Sequence, residues 1–180
     1  MGVYLSEVTF ERWNSERFLK LGSALDFALA DRGLAPFMPE PRAAERTFEE
    51  KLIWSMDGFG ELCERELSQE DIDAVLDWNI LIPVEFDGPI TLPVPSMYGD
   101  TTTVRSAHRA QEVMRLLAAR VDLPPGVPID PTGLALTTWF DPAPQLDSRW
   151  RDDRTIVFYT ALFLRAAEYS LRHTCAISEA

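Results

Sequence analysis

The sequence predicts an α+β fold: a single globular domain over residues 1–180, mostly helical, with a small antiparallel sheet that includes a hairpin near residues 80–94 and a long buried C-terminal helix. Three observations carry this reading. Apolar residues recur at helical spacing over Phe18, Leu21, Leu25, Ala28 and Leu29, and again over Val104, Ala107, Met114, Leu117 and Val121. Asp87-Gly88 stands between two β-branched, apolar runs, Ile80–Phe86 and Ile90–Val94. The run from Ile156 to Leu164 is apolar except for Thr160, as expected of a helix covered on most sides.

The elements follow in order along the chain. Residues 3–9 alternate and suit a short strand. The helix containing Phe18 to Leu29 ends at Gly33 and Leu34 ahead of Pro36, which places a glycine at the left-handed position of a helix stop. Thr47-Phe48-Glu49-Glu50 has the spacing of a capping box, so a helix is expected to begin there with Phe48, Leu52, Ile53 and Met56 inward, and Asp57-Gly58-Phe59-Gly60 to interrupt it. Ser68 heads a second cap, with Ile72, Val75 and Leu76 inward and Glu70, Asp73 and Asp77 along the other side.

For residues 80–94, Asp-Gly readily supplies the positive φ angles of a tight hairpin turn. Pro83, Pro89, Pro93 and Pro95 each lack an amide donor, so an extended apolar loop is the competing reading. Val104–Val121 is a surface helix with Arg105, Arg109, Glu112 and Arg115 outward. Leu134–Phe140 reads as a strand closed by Asp141-Pro142. The last helix runs from about Asp153 to His173, and Ala176–Ala180 is expected to trail as a free segment.

Composition bounds function. The 180 residues suffice for one core without disulfides or a structural metal, and Cys63 and Cys175 show no metal-ligand or redox spacing, so both are expected as unpaired thiols in a reducing compartment. Met1–Phe10 lacks the basic-then-apolar plan of a secretory signal, and the longest apolar run falls short of the roughly 20 residues a membrane span needs. A cytoplasmic location with no membrane partner is expected. Lysine occurs only at Lys20 and Lys51, an arginine bias that suits a GC-rich bacterial genome.

The net charge of −12 is concentrated. Residues 40–87 hold fourteen carboxylates against Arg42, Arg46, Lys51 and Arg65, a net of −10. A concentrated acidic field steers cationic partners and repels nucleic acid. The expected function is therefore a soluble acidic protein-binding domain of inhibitor, immunity or accessory type. It would meet a basic protein through Glu70, Asp73 and Asp77, set against the plain alternative of a solvated helix face.

The other functional class is a small enzyme or ligand-binding domain with an anion site near residues 96–108. There Thr101, Thr102 and Thr103 lead into a helix start, Arg105 lies one turn inside, and His108 follows three residues later. Capping alone also explains those threonines. His173 and Cys175 sit at the end of the last helix, where a cationic histidine is favoured by the dipole without any catalytic pairing. No complete catalytic set, no cofactor motif and no metal-ligand spacing is present in the sequence, and the acidic stripe lacks the histidine, cysteine or calcium-loop glycine of a metal site. The oligomeric state is left open.

Overall fold

The computed structural model describes residues 3–43, 46–97, 99–141 and 154–179. Its strands are β1 (Tyr4–Val8), β2 (Glu49–Lys51), β3 (Ile80–Ile82), β4 (Ile90–Leu92), β5 (Thr102–Ser106) and β6 (Ala176–Glu179). Its helices are α1 (Phe10–Trp13), α2 (Glu16–Asp31), α3 (Asp57–Glu66), α4 (Gln69–Leu76), α5 (Ala107–Val121), α6 (Ala135–Phe140) and α7 (Arg154–His173). Every strand joins one sheet in the order β2-β1-β6-β3-β5-β4. All pairings are antiparallel except β3 with β5.

Alternation along the strands feeds two apolar layers. Leu5, Leu81 and Ile177 face a layer built from α3 to α7. Ile80, Ile82, Val104 and Ala176 face the opposite layer, filled by Trp13, Phe18, Leu21, Leu25 and Leu29 of α1 and α2. Helix α2 stops as its sequence dictates: Gly33 takes φ +72°, and the amides of Gly33 and Leu34 return to the carbonyls of Ala30 and Leu29. Ser68 caps α4 by accepting from the Asp71 amide at 3.3 Å. On α7, every residue from Val157 to Leu164 is buried, because the helix lies on the sheet and is flanked by α3, α5 and α6.

Four expectations are corrected. The small antiparallel sheet with a hairpin at 80–94 is instead a six-stranded mixed sheet. Strands β3 and β4 are not neighbours, because β5 lies between them, parallel to β3 and antiparallel to β4. All three residues of β3 are buried, the signature of a strand covered on both faces, which suits a parallel neighbour better than a surface hairpin. Gly88 does adopt a positive φ of +65°, but its turn sits in a connection that leaves the sheet and is held by Arg32, which donates to the carbonyls of Asp87 and Pro89 at 2.6 and 2.7 Å.

Secondly, Thr47–Glu50 does not start a helix. Glu49–Lys51 is strand β2 against β1, and the helix begins instead at Asp57, through the glycines expected to interrupt it. Thirdly, Leu134–Phe140 holds helix α6 rather than a strand. Gly133 and Leu134 both take left-handed φ, and the fully buried Glu50 carboxylate accepts from the amides of Leu136 and Thr137 at 2.7 and 2.8 Å. Glu50 does cap a helix, but one 86 residues away.

Lastly, Ala176–Glu179 is not a free segment but strand β6, bonded to β1 on one side and β3 on the other. Its first three residues, Ala176, Ile177 and Ser178, are all buried. Ile177→Ala should therefore cost about 2–5 kcal/mol in urea unfolding. Ile129→Ala, at a position 67% exposed, should change stability by no more than about 0.5 kcal/mol.

Candidate functional site

The threonine segment lies on a strand, not on a helix start. β-branched residues favour the pleated backbone, and Thr102, Thr103 and Val104 pair with β4. Helix α5 begins only at Ala107. Thr101 is exposed, Thr102 is buried with its hydroxyl on the Val94 carbonyl at 2.8 Å, and the amide of Thr103 is held by Asn79 Oδ1 at 2.8 Å. His108 is exposed on the first turn of α5.

Arg105 is 6% exposed, and its charge is already answered: it donates to the Asp77 carbonyl at 3.2 Å and to Asp77 Oδ2 at 3.3 Å. Arg109 is likewise held by Asp71 and by Glu112. The anions at this helix start are thus the protein's own carboxylates. Between Glu70, Asp87, Arg105, Ser106 and Arg109 remains a crevice of about 20 Å³, room for one water.

The same geometry sorts the acidic segment. Glu70 and Asp73 lie on α4 and Asp77 is the residue just past its end; Asp77 is committed to Arg105, and Asp73 accepts from Gln69 at 2.7 Å. Asp71 holds Arg109, and Glu66 on α3 holds Arg65 and Arg120. Glu50, counted in the sequence as part of the acidic excess, lies inside. The carboxylates without a basic partner within 4 Å among the described residues include Asp57, Glu61 and Glu64 on α3, Glu70 and Asp73 on α4, and Glu85 and Asp87 beyond β3. Glu70 and Asp87 border the same crevice, which Arg105 and Arg109 also line, so the acidic side of α4 and the β3–β4 connection approach one another there.

A second polar cluster has no signal in the sequence, because its members are far apart along the chain. Glu7 on β1 is 5% exposed and takes the Arg42 guanidinium, with Arg42 Nε to Glu7 Oε1 at 3.1 Å and Arg42 Nη2 to Glu7 Oε2. Tyr169 donates to Glu7 Oε2 at 2.9 Å and accepts from Arg42. Burial raises the Tyr169 phenol to about 12, so it stays protonated and can donate.

Arg42 also donates to His173 Nδ1 at 3.2 Å, which leaves the imidazole proton on Nε2, facing Asp130 Oδ1 at 3.3 Å. His173 packs at a tilt against the Tyr169 ring, 4.2 Å between centroids, and is part of this network rather than a partner of Cys175. The cluster ties β1 to the end of α7 and to residue 42. Its geometry is that of a buried clamp.

Both thiols are buried. Desolvation, helped by Glu64, pushes Cys63 up to about 11, and desolvation pushes Cys175 up as well, so neither is a nucleophile at neutral pH. Among the described residues no three histidine, cysteine or carboxylate side chains converge as a metal site, and no helix is long and apolar enough to cross a membrane. Tyr98, Asp147, Arg149, Trp150, Arg151, Asp152 and Asp153 lie outside the described residues.

Comparison with protein-family models, curated proteins and solved structures finds no match to this chain.

Two outcomes test these assignments. Arg42→Ala strips a buried carboxylate of its countercharge and should cost about 3 kcal/mol or more in chemical denaturation. Arg65→Ala, an exposed pair, should cost about 0–1 kcal/mol. Glu179 has its carboxyl raised by burial, so its favourable contribution is present below the ordinary carboxylate pKa and is lost as pH rises through the raised folded value. Glu179→Gln should therefore be more stable than the parent at neutral pH, and the two melting curves should converge in acid.

Proposed function

We propose that this chain is a cytoplasmic, non-enzymatic protein-binding domain of the inhibitor, immunity or accessory kind, which presents its acidic ridge to a basic partner protein. The observation that carries this reading is the convergence of Glu70 and Asp87 on one crevice from segments 17 residues apart. Asp73 and Glu85 lie within three residues of them in the sequence, while Arg105 of β5 and Arg109 of α5 occupy Asp77 and Asp71. Such a ridge accelerates encounter with a cationic surface and discriminates against anionic ones. Two reduced, buried thiols support the reducing compartment.

The ion pairs also decide how to test it. Reversing Asp77 would set a lysine beside the buried Arg105, so the informative set is Glu70→Lys, Asp73→Lys and Asp87→Lys together. The control reverses Asp31, Asp100 and Asp141, three exposed acids elsewhere on the chain. Against the protein that co-purifies with the chain from its own cells, the ridge variant should associate at least about tenfold more slowly, with a weakened salt dependence. The control should associate nearly as the parent does. Equal losses in both sets, or an association rate indifferent to salt, would overturn the proposal.

A further inference from the structure

Sheet register creates a polar gap in an otherwise apolar face. Across β1, β6, β3 and β5 the residues Ser6, Ser178, Ile80 and Val104 stand in one row, and Ile80 and Val104 show that this row faces α2. Apolar side chains fill the right half of the row; two serines fill the left. Ser6 is answered by Arg12, whose Nη1 donates to its hydroxyl at 3.1 Å. Ser178 is 3% exposed, and its hydroxyl has no partner among the described residues. A buried hydroxyl left unpaired destabilises the fold, so its persistence marks a place where something polar belongs.

The charges around it are also unanswered. The guanidiniums of Arg12 and Arg17 both lie over the Phe18 ring, 5.4 and 5.9 Å from its centroid. Neither has a carboxylate within 4 Å among the described residues. Burial, and the charge of Arg17, lower the pKa of Arg12, as expected of a cation that lacks its counterion. Asn79 spends its oxygen on the Thr103 amide, and its Nδ2 has no partner among the described residues. Glu179 borders the same region, but one residue beyond Ser178 on an extended strand its side chain belongs to the other face of the sheet, where it stands opposite Leu5.

Arg12, Arg17, Asn79 and Ser178 line a cavity of about 40 Å³ between α2 and the β4–β5 connection, with the Ser178 hydroxyl just beneath its surface, and Phe18, Leu21, Val94 and Met97 form its apolar wall. Past Arg17, Val94 and Pro95 it adjoins a wide, shallow surface depression that Glu16 and Lys20 also line. The enclosed end holds a few waters, or a head group of about three heavy atoms. Unpaired donors and cations at the closed end, with an apolar wall leading outward, define a ligand with a small planar anion at one end and an apolar chain behind it.

We infer that this cavity binds a small organic carboxylate, its head group held by Arg12 and the Ser178 hydroxyl and its aliphatic chain lying along Leu21, Val94 and Met97. The guanidinium fork matches a carboxylate in plane and charge. This site is independent of the acidic ridge: it uses none of the same residues.

Titration calorimetry and amide chemical-shift mapping with hexanoate test it, with hexanol, hexylamine and inorganic phosphate as comparison probes. Hexanoate should bind saturably and shift the amides of Phe18, Leu21, Met97 and Ser178, with every comparison probe at least about tenfold weaker. Arg12→Gln should weaken hexanoate by about tenfold or more, and Arg17→Gln, at an exposed position that folding does not need, severalfold. Ser178→Ala should weaken hexanoate while leaving the melting temperature equal or higher, because it deletes an unpaired hydroxyl; a purely structural serine would lower it. Hexanoate no tighter than hexanol, phosphate tighter than hexanoate, or unchanged affinity in Ser178→Ala would each overturn the inference.

Discussion

Strand β6 is bonded along one edge to β1 and along the other to β3, so among the described residues it is the strand that joins the β2-β1 pair to the β3-β5-β4 trio. Without it each part would expose an unpaired edge and half an apolar face. The position of β6 is in turn dictated by α7. Thr174 takes φ +46°, the Cys175 amide returns to the Ser170 carbonyl, and the Ser170 hydroxyl donates to the Cys175 carbonyl at 2.7 Å, so the chain reverses from helix to strand in two residues. The Glu7, Arg42, Tyr169 and His173 cluster then fastens the end of α7 back to β1. One short turn and one ionic clamp hold the centre of the sheet in register.

Arginine has a related role across the helical layer. Arg105, Arg109 and Arg120, on β5 and α5, reach carboxylates at or near α3 and α4, and Arg115 reaches Glu168 on α7. The strongly acidic stretch of sequence and the basic helix that follows it are thus partly neutralised by each other once folded. What stays unpaired is a narrower ridge than the linear charge count implies, and its composition differs: Asp77 leaves it and Asp87 joins it.

The features legible in the sequence are those whose physical partners are close by in the chain. The α2 stop at Gly33 and the Ser68 cap are each completed within a few residues, and their signals are accurate. Thr47–Glu50 and Leu134–Phe140 were misleading for a common reason: the carboxylate of one satisfies the helix amides of the other. Propensity and periodicity cannot contain that contact. The hairpin at Asp87-Gly88 failed because a third strand from later in the chain displaced the nearest pairing. Of the candidate features, the carboxylates of α4 could be read from spacing, whereas the Glu7 cluster depends on contacts between distant segments and the serine row on sheet register.

The placement of β6 also constrains how the protein comes into being on the ribosome. Residues 1–173 can emerge and collapse around α2 and α5, yet the slot between β1 and β3 stays vacant until residues 176–179 have left the exit tunnel. For that interval the nascent chain carries two complementary open strand edges, each able to capture the wrong segment or another nascent copy. Chaperone engagement, translation pausing and aggregation during overexpression should all be sensitive to how quickly those few residues arrive.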